Sequence, residues 1–277
     1  MKVLRLRIYQ PQAHYRVPFT YQRRHTYPIP PYSTVIGFLC NVLGIDDQKK
    51  KETIGVRSTV LYDELKKIKI SIAGRFASKT TEYIWFRNLS KSAHIDRFGY
   101  VENRSIGGHI EHIGGQSPVS IDVLDDVRLV IHLAHEEETF LKHIKSSLEN
   151  PVRRLEVLHL GRAEDWIVIE GLSEVFELSR FPVQRADANF RHFFWIPEKI
   201  FANSKEVTAF EEFGGLSYNV PTFWTVADFD RTFNRHGQRI FEHIRAKLND
   251  GLIIGCKFLY DEESRLPIFL ANFEVKL

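Results

Sequence analysis

Residues 127–151 read VRLVIHLAHEEETFLKHIKSSLENP, and the hydrophobic period changes inside them. Leu129, Ile131 and Leu133 alternate with Arg128, Val130 and His132, the two-residue period of a strand with one face in a core. From about residue 137 the apolar positions become Phe140, Leu141, Ile144 and Leu148, one stripe of a helix. Glu136, Glu137 and Glu138 precede or open it and Lys142 and Lys145 follow, the order that the helix dipole favours. Asn150-Pro151 end it, because a proline pushes the residue before it out of helical geometry. WIVIE at 166–170 predicts one further strand.

The same order stands at the N-terminus. Residues 3–9 alternate, with Leu4, Leu6 and Ile8 toward a core and Val3, Arg5, Arg7 and Tyr9 on an opposite, basic side. Pro30 and Pro31 exclude a helix interior. Ser33 then serves as the expected N-cap of a helix carried by Val35, Phe38, Leu39, Val42 and Leu43, with Gly44 just past its end. Ile68, Ile70 and Ile72 alternate as another strand, whereas 75–121 has no period and is rich in Gly, His and Arg. The order is strand, helix, strand, long insert, strand, helix, strand. It predicts an α+β chain: a ferredoxin-like (RRM-like) βαββαβ domain over 1–172 with an insertion at about 77–121. A smaller β-rich domain over 173–277 follows, with a helix near 237–249 carried by Ile240, Phe241, Ile244 and Leu248. Such a fold serves many functions, so function has to be argued from a site.

The charge distribution says more than its total. The 277 residues carry a net charge of only +3, yet Met1 to Ile45 contain not one Asp or Glu beside Lys2, Arg5, Arg7, Arg16, Arg23 and Arg24. An acid-free basic segment suits a phosphate-rich partner. Within it, RRHTYPIPPYSTVIGFL (23–39) joins Arg23, Arg24 and His25 to a proline-stiffened loop that runs into a helix N-terminus at Ser33 and Thr34. Free amides and the positive end of the dipole make that point an anion site, and Tyr27 and Tyr32 suggest an anion with bases to stack on. A plain proline-punctuated loop with a capped helix is the alternative. In LEVLHLGRAED (155–165), Gly161 and Arg162 place an unhindered backbone beside a cation, suited to close approach of a phosphate or ribose.

YPIPPYSTVIGFL followed by LHLGRAED resembles the CRISPR-associated protein family five, a branch of the RAMP superfamily, and most of all its members in type I-B-like effector complexes. The resemblance extends to YNVPTFW at 218–224. It implies an RNA-binding subunit of a type I crRNA-guided surveillance (Cascade) complex that grips the crRNA 5′ handle and caps one end in antiviral defence. The implied partners are the crRNA, the backbone and large subunits, and target DNA near the PAM. The 77–121 insert becomes a thumb hairpin, with Lys79, Lys91, Arg97 and Arg104 as RNA contacts alongside Arg23, Arg24, His25, Tyr27, Ser33, Thr34, Gly161 and Arg162.

One family branch, in type I-C-like systems, is itself a metal-independent endoribonuclease that processes precursor crRNA. His14, Tyr15, His25 and Tyr27 could supply an acid and a base here. The same residue types stack and hydrogen-bond equally well, and the type I-B resemblance assigns processing to a separate nuclease, so binding without catalysis is the expectation. No cofactor or metal is expected: His132 and His135 lie three apart in an alternating strand, and His109 and His112 have no compelling third ligand. Cys40 and Cys256 fit a reducing cytosol, and with no apolar run long enough for a bilayer the expectation is a cytoplasmic protein with no membrane partner.

Overall fold

The computed structural model describes the chain apart from residues 19, 21–22, 47, 55–56, 89–104, 107–108, 111–114, 180, 186–188, 201–205, 227–238 and 274–277. Its elements are β1 (Lys2–Ala13), β2 (Arg23–Arg24), α1 (Tyr32–Leu43), α2 (Leu61–Lys66), β3 (Lys69–Arg75), β4 (Ser78–Asn88) and β5 (Gly115–Ala134). They continue with α3 (Glu138–Glu149), β6 (Val168–Leu172), β7 (Phe193–Pro197), β8 (Leu216–Val226), β9 (Arg239–Asn249), β10 (Lys257–Asp261) and β11 (Leu266–Ile268), beside shorter ladders. The fold is sheet-rich with few helices. One curled sheet runs β6-β1-β5-β3-β7-β9-β8 with antiparallel neighbours throughout, and β2 and β4 pair with β5 off that path.

The register explains which face buries what. Leu4, Leu6 and Ile8 stand opposite Leu133, Ile131 and Leu129, and Ile70 and Ile72 lie opposite Leu133 and Ile131. All are buried in one core with Val35, Phe38, Leu39 and Val42 of α1 and Phe140, Leu141, Ile144 and Leu148 of α3. The strand-to-helix switch in 127–151 therefore buries both periods against the same layer. Gly44 ends α1 at φ +67°, with its N–H on Asn41 O. Strands β7, β9 and β8 extend the same sheet, β10 and β11 lie in a separate three-stranded one, and Trp195, Val220, Phe223, Ala246 and Phe273 lie in that core too.

Three expectations are corrected. The helix near 237–249 is strand β9, which pairs with β7 on one side and β8 on the other. Ile240, Phe241 and Ile244 fit either period, and two flanking ladders outweigh a local pattern. The two ends of the aperiodic insert form a ribbon: β4 and β5 pair from Ser78↔Asp125 to Asn88↔Gly115. Lys91, Arg97 and Arg104 lie outside the described residues. The basic side of β1 is covered at its start, where β10 and β11 pack on Val3: Arg5 is buried, its Nη1 donates to Asp261 Oδ2 at 2.7 Å and its Nη2 pairs with Glu263, whereas Arg7 stays exposed.

Asp261 also meets His132 Nε2 at 2.9 Å, so one buried carboxylate joins β1, β5 and β10. Burial alone would raise its pKa, but the hydrogen bonds from His132 and Arg5 outweigh burial and hold it far below the usual range. Burial lowers the pKa of His132. Both shifts act with one sign: as pH falls, the unfolded chain takes the proton first. The stability is present above the unfolded values, about 6.5 for His and about 3.9 for Asp, and is lost in turn below each. Asp261→Ala is expected to cost about 3–5 kcal/mol, the range for removing one partner of a buried pair. Urea melts at neutral pH measure it, and a cost under about 1 kcal/mol contradicts this role.

Candidate nucleic-acid interface

An open cleft of about 1270 Å³ lies where β1 ends, α1 begins and β8 and β9 arch over. Arg16, Arg24 and Arg162 line it with His14 and His243, and no carboxylate is among the described residues that line it. Ser33 and Thr34 line it as well. The first amides of a helix have no carbonyl partner within the helix, so they add to the positive field at that point. The structure thus brings Arg24, Ser33, Thr34, Gly161 and Arg162 together at one cleft from segments more than a hundred residues apart.

The details differ from the sequence reading. Ser33 is not the cap: α1 starts at Tyr32, its N-cap is Pro31, and no side chain caps it. Tyr27 and Tyr32 are buried; Tyr27 packs edge-on against Trp195 and Tyr218, and Tyr32 against Phe273, so they support the loop from below. Trp195 Nε1 donates to Pro30 O at 2.9 Å and fixes the proline segment. Burial raises the Tyr27 pKa. His14 and Tyr15 are buried as well: His14 Nδ1 lies 2.7 Å from Asp122 O, and the Tyr15 hydroxyl donates to Gln10 Oε1 at 2.5 Å. Burial lowers the His14 pKa and pushes that of Tyr15 up. Burial, with Arg16 close by, lowers the Arg24 pKa.

Two buried acids that the sequence reading passed over arrange the rim. Asp165 accepts from the amides of His14 (2.9 Å) and Arg162 (2.8 Å) through Oδ2. Its Oδ1 accepts from Arg162 Nη2 at 2.8 Å. Gln10 Nε2 bridges Leu160 O and Asp165 O, so the whole 160–165 turn is docked on the end of β1. Burial would lower the Arg162 pKa; the Asp165 contacts outweigh it and raise it. Asp122 pairs in turn with Arg23, His25 and Lys79. Asp122 sits alone between Ile121 and Val123 in an apolar alternation, the one sequence signal that could have pointed to it.

The described residues form a sheet-rich fold with one basic cleft. The sequence profile described as CRISPR-associated protein (Cas_Cas5) matches residues 3–232, and the chain belongs to that family. No curated protein matches it. A solved CRISPR RNA-guided surveillance complex contains a chain with 12% identity and a TM-score of 0.50, covering 92% of this chain and 93% of that one. A structure titled "Crystal structure of Cas protein" gives 14% identity and a TM-score of 0.41, with 91% and 97% covered. A CRISPR protein from Archaeoglobus fulgidus gives 11% identity and a TM-score of 0.34, with 93% and 90% covered. No helix among the described residues is long and apolar enough to cross a membrane, and none of their His, Cys, Asp and Glu side chains group as a metal site.

Gly161 has φ +114°, and a Cβ there would lie 2.7 Å from Asp165 Oδ2 and 2.9 Å from His14 O. Gly161→Val is therefore expected to undo the docked turn itself, at about 1–3 kcal/mol, rather than only to hold a ligand away. Ser33→Ala is expected to change stability by less than about 0.5 kcal/mol, since no cap is lost. Paired thermal melts check both; a Ser33→Ala cost near 1 kcal/mol contradicts the capless start of α1.

Proposed function

We propose that this chain is the crRNA-binding subunit of a type I surveillance (Cascade) complex, gripping the 5′ handle and capping one end. The basic cleft carries the reading: three arginines and a helix N-terminus face one channel with no carboxylate among the described residues of its lining. Family membership supports the CRISPR setting. The strand order β6-β1-β5-β3, with α1 and α3 in one core beside it, supports a ferredoxin-like βαββαβ unit whose β4/β5 ribbon is the thumb. A fixed handle would be read as splayed, unpaired bases, whereas the guide is read by base pairing. The backbone and large subunits of the complex are the protein partners in this reading, with target DNA near the PAM a further contact.

Binding without cleavage is part of the proposal. Of His14, Tyr15, His25 and Tyr27, three are buried in structural roles. One observation favours the nuclease reading: His25 Nδ1 lies 3.0 Å from Asp122 Oδ2, which turns Nε2 outward, as a general base would need. Labelled repeat RNA incubated with the protein in EDTA is expected to stay intact, and its binding is expected to weaken steeply with salt, because phosphate neutralisation releases counterions. Discrete cuts that vanish on His25→Ala would replace binding by catalysis, and a flat salt dependence would remove the RNA reading.

A further inference from the structure

The β4/β5 ribbon has two faces, and the cleft accounts for one. β2 adds to β5 in parallel, with Arg23 beside Ser120 and Arg24 beside Ile121. Arg24 and Ile121 line the cleft. Alternation sends Arg23, His25 and Asp122 to the other face. There Asp122 Oδ1 accepts from Arg23 Nε (3.3 Å) and Nη2 (3.2 Å) and from Thr81 Oγ1 (3.1 Å). Its Oδ2 meets His25 Nδ1 at 3.0 Å and Lys79 Nζ at 3.6 Å. The acid is 1% exposed while Arg23, His25 and Lys79 are 54%, 49% and 47% exposed. Two residues further along the same face of β4 stand Tyr83 and Trp85, 64% and 58% exposed, with ring centroids 6.3 Å apart.

A carboxylate beside a phosphate path is unfavourable by Coulomb's law, so its presence needs a reason. Arg23 and Lys79 end in long side chains that lose much rotamer freedom on binding. Asp122 removes that freedom during folding, while Arg23 and Lys79 together still exceed its single charge. Burial would raise the Asp122 pKa, yet the bonds from His25 and Thr81, with Lys79 and Arg23, hold it below the usual range, so it stays ionised. Exposed aromatics in line with cations are what single-stranded RNA uses, bases stacking and phosphates pairing.

We infer that Asp122 is a positioning residue for RNA: it presents Arg23, His25 and Lys79 as a preformed fork for a phosphodiester on the face of the ribbon turned away from the cleft, with Tyr83 and Trp85 stacking the adjoining bases. The inference rests on the RNA-binding reading above.

The test is its sign. Asp122→Asn makes the protein more positive, so charge counting requires tighter RNA binding; positioning requires weaker. Anisotropy with fluorescein-labelled single-stranded oligouridine is expected to show Asp122→Asn weakened on the order of tenfold, the equivalent of one charge-assisted contact. Its salt slope is expected to be shallower by about 0.7, the value for one lost phosphate contact on a single strand. Trp85→Ala is expected to weaken binding roughly tenfold with the slope unchanged. Asp125→Asn, an acid of the same strand outside the hub, is expected not to weaken it. If Asp122→Asn does not fold, Thr81→Val decides, since it removes one donor to the carboxylate and leaves every charge in place: about threefold weaker binding supports the inference. Affinity equal to or above wild type in whichever of the two folds overturns it. Wild type that binds no oligouridine overturns both this inference and the RNA reading; wild type that binds, with variants unaffected, overturns this inference alone.

Discussion

The first forty-five residues contain no acid, and the fold has to supply their counter-charges from far along the chain. Arg5 takes Asp261, Arg23 and His25 take Asp122, and the amide of His14 takes Asp165. Each of these carboxylates is buried. A buried charge is tolerated only when paired and hydrogen-bonded, and losing one partner is costly. These long-range pairs therefore fix how the N-terminal strand and loop sit against the ribbon, the 160–165 turn and the C-terminal ladder.

What remains after that pairing is the site. Asp122 and Asp165 lie beneath the rim, while the more exposed Glu82 and Glu164 pair with Arg162 at its edge, and no carboxylate is among the described residues that line the cleft between α1, the Gly161 turn and β8/β9. Asp165 holds the turn that carries Arg162, and the Trp195–Tyr27–Tyr218 cluster holds the proline segment from below. The described basic residues rest on buried acids and rings. Such preorganisation lowers the ordering cost of binding an extended, flexible polymer.

Much of this was legible in local sequence. The two strand-to-helix switches and the Gly44 stop follow from period and turn chemistry. Strand β9 did not follow, because Ile240, Phe241, Ile244 and Leu248 satisfy a helical period and only the flanking β7 and β8 decide otherwise. The insert looked aperiodic because the β4 arm runs Ser78-Lys79-Thr80-Thr81 with little apolar contrast between its faces. Tyr27 and Tyr32 read as stacking residues because aromatic exposure depends on partners elsewhere, here Trp195 and Phe273. Asp122 and Asp165 escaped notice for the same reason: their partners are set by tertiary contacts, not by spacing.

The central claim is that RNA lies in the acid-free cleft. It is tested most directly by photocrosslinking a 4-thiouridine-substituted guide RNA to the assembled complex and mapping adducts by mass spectrometry. The account predicts adducts on the peptides carrying Arg16, Arg24 and Arg162. Adducts confined to the outer face of α3, around Lys142 and Lys145, with the cleft peptides unmodified, would contradict it.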